Sequence, residues 1–211
     1  GELLGGDKTP TLLFTASHGV AFDNGDKRQV RHQGSFVCQD VGALDGTGPL
    51  PAEKYFPRDS IDDSARLPGL ISFHFACFGA GTPNIDDFPD ADKVFRDQKI
   101  APFPFVAGLP QRMLSHPKGG ALAFVGHVDR AFSYSFQWGR AGDQLDVYRS
   151  ALTQLLAGFP VGAALEVVNQ FYASIATLLN NELEELRFGA IANDAAGSGR
   201  VVMTFSPRTA P

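Results

Sequence analysis

Three residues able to do covalent or proton-transfer chemistry stand where an apolar run gives way to a turn. Thr11 to His18 (TLLFTASH) closes on Ser17-His18-Gly19. Leu70 to Cys77 (LISFHFAC) breaks into Phe78-Gly79-Ala80-Gly81, and Ala121 to His127 (ALAFVGH) runs on into Val128-Asp129-Arg130. A thiol becomes nucleophilic as its thiolate, and free cysteine has a pKa of about 8.5, so it needs a base or an electropositive setting. A neutral imidazole within reach can be that base. The pattern points to Cys77 as nucleophile and His18 as base. Gly19 lets the backbone turn close to a substrate, so its N–H, with that of Cys77, could receive a developing oxyanion. His127 reads as the wall of a binding pocket, with His127 in place of His18 as the alternative base. Asp129, just beyond it, is a candidate for binding a basic substrate side chain, as is the acidic cluster Asp86, Asp87, Asp90 and Asp92. Taken alone, each histidine reads as a core or surface residue and Cys77 as a small hydrophobe. The coincidence of the three strand ends carries the argument.

The elements that must position these residues follow from periodicity. The three apolar runs lack alternation, which suits strands covered on both faces of a parallel sheet. The segments between them are long enough for the crossovers that parallel pairing requires. The expected fold class is therefore α/β, a mainly parallel sheet flanked by helices, in which functional groups gather beyond the carboxyl ends of the strands. Residues 20–68 are punctuated by Gly and Pro. A short strand is expected at Ser35–Cys38 and a short helix from Asp59 to Ala65. Further helices are expected over Phe105–Ser115, where Pro110 is tolerable only in a first turn, over Gln144–Ala157 and over Val161–Leu186. In the last, Ala164, Val168, Phe171, Ile175, Leu178 and Leu179 define one buried face. Short strands are expected at Phe132–Phe136 and Arg200–Phe205, with 192–199 as a flexible link. There is no internal repeat and no domain linker, so residues 1–211 read as one domain.

Other chemistries fit less well. His74-x-x-Cys77 has the look of half a zinc site, but residues three apart on a strand face opposite sides and no second pair stands at ligand spacing. No metal or cofactor is expected. Gly79-Ala80-Gly81 resembles the start of a dinucleotide loop, yet Asn84 stands where a third glycine belongs. The formal net charge is -5 with no run of Lys or Arg, which offers no phosphate footprint for nucleic acid. No apolar run approaches the ~20 residues that span a bilayer. Two cysteines, Cys38 and Cys77, are too few for a disulfide-framed secreted fold. Free thiols in a reducing, cytoplasmic compartment are the expectation.

Strand-Ser17-His18-Gly19, then strand-Ala76-Cys77 with a glycine soon after, then an apolar strand leading to Val128-Asp129, resembles the caspase-like (clan CD) cysteine peptidases. FACFGAGTP and GGALAFVGHVDRAF look closest to bacterial CHAT-like and gingipain-like domains. The resemblance covers roughly residues 11–180. It implies a His18–Cys77 dyad, an oxyanion hole of the Gly19 and Cys77 N–H groups, and a protein or peptide substrate. It also implies a longer protein, because the clan fold carries two strands before the histidine strand and only ten residues precede Thr11 here. An N-terminal portion or a regulatory domain is then a natural partner. Phe75 stands where metacaspases carry an Asp for a basic P1 side chain. The expected activity is a cysteine endopeptidase with a slight preference for basic P1. The alternatives are a catalytically silent module of the same fold and a nucleotide-binding α/β domain.

Overall fold

The computed structural model describes residues 4, 9–39, 50–86, 99–132, 136 and 145–195. The chain divides into two compact units, Gly1–Ser133 and Tyr134–Pro211. In chain order the first contains β1 (Leu12–Ala16), α1 (Gln29–His32), β2 (Phe36–Val37), β3 (Tyr55–Phe56), β4 (Ile71–Phe75), β5 (Gly81–Thr82), β6 (Phe105–Val106), α2 (Gly108–Leu114) and β7 (Ala123–Gly126). The second contains α3 (Asp146–Leu156), α4 (Val161–Ala164) and α5 (Glu166–Ala195).

The first unit is α/β. Its sheet is parallel, in the order β1-β4-β7, with Leu12 paired to Ile71, Ala16 to Phe75, Ile71 to Ala123 and His74 to Gly126. β4 is central and its middle residues are buried, as its unbroken apolar run requires. Alternation sorts the sheet into two faces. Leu13, Thr15, Ser72, His74 and Phe124 share one; Phe14, Ala16, Phe73, Phe75 and His127 follow the other. Against the first face packs a core of Ile61, Leu67, Leu70, Leu109, Met113 and Ala121, joined by Leu13, Phe36 and Phe124. α2 brings Leu109 and Met113 to it. The helix expected from Phe105 begins only at Gly108, because Phe105–Val106 pairs with Gly81–Thr82 as β6 and Pro110 is tolerated only in a first turn, where its missing N–H costs nothing. The short strand expected at Ser35–Cys38 is β2, which pairs antiparallel with β3. The expected helix at Asp59–Ala65 is instead one 3-10 turn, Arg58–Ser60, because the Asp62 carboxylate takes the Ser64 N–H at 2.6 Å and closes a turn in place of a helical bond.

In the second unit the helix expected over Val161–Leu186 is broken at Leu165 and then runs to Ala195, through the start of the expected link. Ala164 is buried, and Val168, Phe171 and Ile175 are half-buried, as their spacing predicts. Leu178 and Leu179 are instead exposed, at 60% and 48%. The neighbouring α3 has only 11 residues against 30 in α5, so it cannot accompany the whole helix. The expected strands at 132–136 and 200–205 lie largely or wholly outside the described residues, as do Asp87, Asp90 and Asp92. Among the described residues, no helix is long and apolar enough to cross a membrane.

Candidate active site

With β4 in the middle, the strand carrying Cys77 has the His18 strand on one side and the His127 strand on the other. The β1–β4 register continues past the strand ends, where the Ser17 N–H donates to the Phe75 carbonyl at 3.0 Å. His18 and Gly19 therefore run beside Cys77. The approach is so close that a Cβ on Gly19 would lie 1.9 Å from the Cys77 carbonyl oxygen, which only a glycine permits. Among the described residues, neither the Gly19 N–H nor the Cys77 N–H donates a hydrogen bond. Two free donors at the ends of neighbouring strands are the raw material of an oxyanion hole.

The Cys77 thiol is partly buried and is held by the loop beyond β7. The Ala131 N–H donates to Sγ at 3.4 Å and the thiol faces the Ala131 carbonyl at 3.5 Å. The exposed His18 ring makes no hydrogen bond to Sγ. Catalytic hydrogen bonds are commonly loose before substrate binds, so adjacency of the two strand ends is the relevant observation.

The turn after Cys77 is conformationally costly. Phe78 has φ +57° and Asp129, across from it, φ +76°, a region that costs an L-residue roughly 1–2 kcal/mol. Both are held in place: the Phe78 N–H donates to the Asp129 carbonyl at 2.6 Å, and the Ala80 N–H to that of His127 at 2.8 Å. Gly34, itself at φ +76°, supports the turn from below, where a Cβ would meet the Phe78 carbonyl oxygen at 2.0 Å. Backbone strain enforced by surrounding structure is concentrated at functional sites.

Asp129 is only 4% exposed, and its Oδ1 accepts the Arg130 N–H at 2.7 Å. The Arg130 guanidinium lies 3.5 Å from the same carboxylate and binds Asp86 through two hydrogen bonds of 2.5 and 2.8 Å. Asp129 thus shapes the loop around Cys77 and already faces a cation. The Asp86–Arg130 pair and the Ala131 N–H are site features that sequence reasoning missed. No local pattern announces a contact made by a backbone N–H, nor an ion pair 44 positions apart in sequence.

His127 is half-buried, edge-on to the Phe75 ring at 4.6 Å. Burial lowers its pKa, a hydrogen bond to the His74 backbone opposes that, and Nδ1 is buried with no partner. His74 points to the opposite face, between the rings of Phe36 (4.4 Å) and Phe124 (4.7 Å). Its Nδ1 bonds the Thr15 hydroxyl, and its Nε2 lies 2.5 Å from the Ser72 hydroxyl. A neutral imidazole has one N–H, so one hydroxyl donates and the other accepts. Burial pulls the His74 pKa down to about 3. Gly79-Ala80-Gly81 leads into β5 rather than a helix, so it has no helix N-terminus to offer a phosphate. Among the described residues no group of His, Cys, Asp and Glu is arranged to hold a metal. Comparison of the chain with protein-family models, curated proteins and solved structures found no match.

Proposed function

We propose that the chain is a cysteine endopeptidase of caspase-like architecture, with Cys77 as nucleophile and His18 as general base. The observation that carries the proposal is the pairing of the two strand ends. His18-Gly19 runs against Cys77, and the N–H groups of Gly19 and Cys77 are both without an acceptor. In the proposed reaction His18 takes the thiol proton and Sγ attacks the scissile carbonyl. The two N–H groups receive the oxyanion, and His18 returns its proton to the leaving amine. Water then hydrolyses the thioester, regenerating the thiol. Cys77→Ala should abolish peptide hydrolysis, and His18→Ala should lower kcat/KM by roughly 10²- to 10⁴-fold. Loss in His127→Ala with His18→Ala unaffected would transfer the role of base to His127. The preference for a basic P1 residue is tested separately. Asp129 is buried and already faces Arg130, so a basic P1 side chain would have to share its carboxylate. In that arrangement Asp129→Asn should reduce cleavage after Lys and Arg more than cleavage after Leu, and equal reduction removes Asp129 from P1 recognition.

A second reading, a silent module of the same fold, is favoured by one observation: Sγ is engaged by Ala131 and not by an imidazole. Thiol alkylation separates the two. A Cys77 that reacts near neutral pH no faster than a model thiol, in a protein that hydrolyses no peptide, supports the silent module.

A further inference from the structure

Among the described residues of its unit, α3 and α4 leave an apolar stripe on the distal part of α5 uncovered. At 1.5 Å per residue α3 is about 16 Å long and α5 about 45 Å, so the partnered stretch ends near Ile175. Beyond it the leucines open to solvent: Leu179, Leu183 and Leu186 are 48%, 51% and 38% exposed, and Tyr172 on the same line is 73% exposed. Tyr172, Ala176, Leu179, Leu183 and Leu186 recur at steps of four, three, four and three residues. That is the alternating a/d spacing of a heptad, averaging 3.5 residues, whose seam stays in line only when two helices supercoil. One heptad step before Ala176, at the preceding a position, stands exposed Asn169. A polar residue there costs stability and fixes register.

The flanking charges identify the occupant. In this register Glu182 occupies a g position and Arg187 the following e position, while Glu184 and Glu185 fall on the outer face. In a parallel pair each g residue meets the e residue five positions on in the partner helix. Glu182 then meets Arg187 of the second helix, and by symmetry the contact forms twice. An antiparallel pair sets e against e, and within residues 172–188 no e position is acidic. Both halves of the ion pair and both sides of the seam thus lie on one helix. The surface complements itself rather than a different protein.

We propose that the chain associates with a second copy of itself through α5, as a short parallel coiled coil seamed by Tyr172, Ala176, Leu179, Leu183 and Leu186 and registered by two Glu182–Arg187 pairs. About two and a half heptads make a weak, concentration-dependent dimer. The proposal is independent of the peptidase reading, since no seam residue belongs to the candidate active site.

Sedimentation equilibrium of the full chain over a wide dilution series tests it. A monomer–dimer equilibrium is expected. Leu183→Asp, a change at an exposed position whose folding is checked by circular dichroism, should abolish the dimer. Glu182→Arg should weaken it roughly tenfold, and Glu182→Arg with Arg187→Glu should restore it. In a Cys38→Ser, Cys77→Ala background, Ala176→Cys should form an intermolecular disulfide under mild oxidation, because a parallel pair sets equivalent a positions face to face. A chain that stays monomeric throughout, a dimer indifferent to Leu183→Asp, or an Ala176→Cys protein that does not cross-link overturns the proposal.

Discussion

Acidification should destabilise the fold through His74, and the amount can be worked from its surroundings. Its ring is 1% exposed, lies between two phenylalanine rings, and has both nitrogens committed to hydroxyls. Charging it in place is opposed by burial, which lowers the pKa from 6.5 to about 3. The native state therefore holds His74 neutral, while the unfolded chain binds a proton below about pH 6.5. Stability is complete above the unfolded pKa and falls as pH drops from 6.5 towards 3, by about 1.4 kcal/mol per unit. At pH 5 the loss is about 2 kcal/mol, and it approaches about 5 kcal/mol near pH 3. The assay is urea denaturation of the parent and of His74→Asn between pH 7.5 and 4. His127, whose pKa burial also lowers, adds to the slope of both proteins and cancels in their difference. The difference should grow by about 1.4 kcal/mol per pH unit below 6.5. Phe36 and Phe124 offer ring faces to an imidazolium, a contact worth about 1–2 kcal/mol. If they compensated the burial in full, His74 would titrate normally and the two profiles would run parallel. That result refutes the reasoning.

Four further substitutions follow from the same geometry. Gly19→Ala places a methyl group on the Cys77 carbonyl oxygen; a stability loss of at least about 2 kcal/mol is expected by urea melt and, under the proposed peptidase function, a fall in peptide hydrolysis of roughly 100-fold by rate assay. Ser72→Ala leaves His74 Nε2 without its partner and should cost about 1–2 kcal/mol in the same melt. Leu109→Ala empties part of the core under the sheet and should cost about 2–5 kcal/mol. Asp86→Asn removes the carboxylate that Arg130 holds through two hydrogen bonds but leaves it Asp129 at 3.5 Å; since Arg130 is also 31% exposed, about 1–2 kcal/mol is expected in place of the 3–5 kcal/mol of a fully buried pair, measured by thermal unfolding.

The strain around Cys77 links fold to chemistry. Phe78 and Asp129 hold left-handed conformations at the exits of neighbouring strands, and each fixes the other through the Phe78 N–H to Asp129 carbonyl bond. The arrangement leaves Cys77 at a sharp bend with its own N–H unspent.

The sequence by itself determined the parts of this protein that depend on local chain chemistry. Apolar runs mark β1, β4 and β7, but only β4 is covered on both faces as such a run suggests; β1 lies at the edge of the described sheet, with Phe14 and Ala16 exposed. Ser17-His18-Gly19 and Cys77 are visible as strand ends because glycine and polar residues halt such runs. α2 is legible as a helix, though its start is not, since Phe105–Val106 is strand β6, and the early face of α5 is legible from Ala164, Val168, Phe171 and Ile175. Tertiary structure alone decided which strands are neighbours. Pairing order joins residues about sixty positions apart, and it made β4 central so that Cys77 has a histidine strand on either side. It also decided that His74 is sealed in the core, that Asp129 is engaged by Arg130, and that a phenylalanine takes a left-handed turn its side chain disfavours. In each case non-local hydrogen bonds and packing overrule local preference, and no pattern of residues along the chain records that contest. The exposed seam of α5 belongs to both: its spacing is written in the sequence, but only the short reach of α3 shows that it is left uncovered.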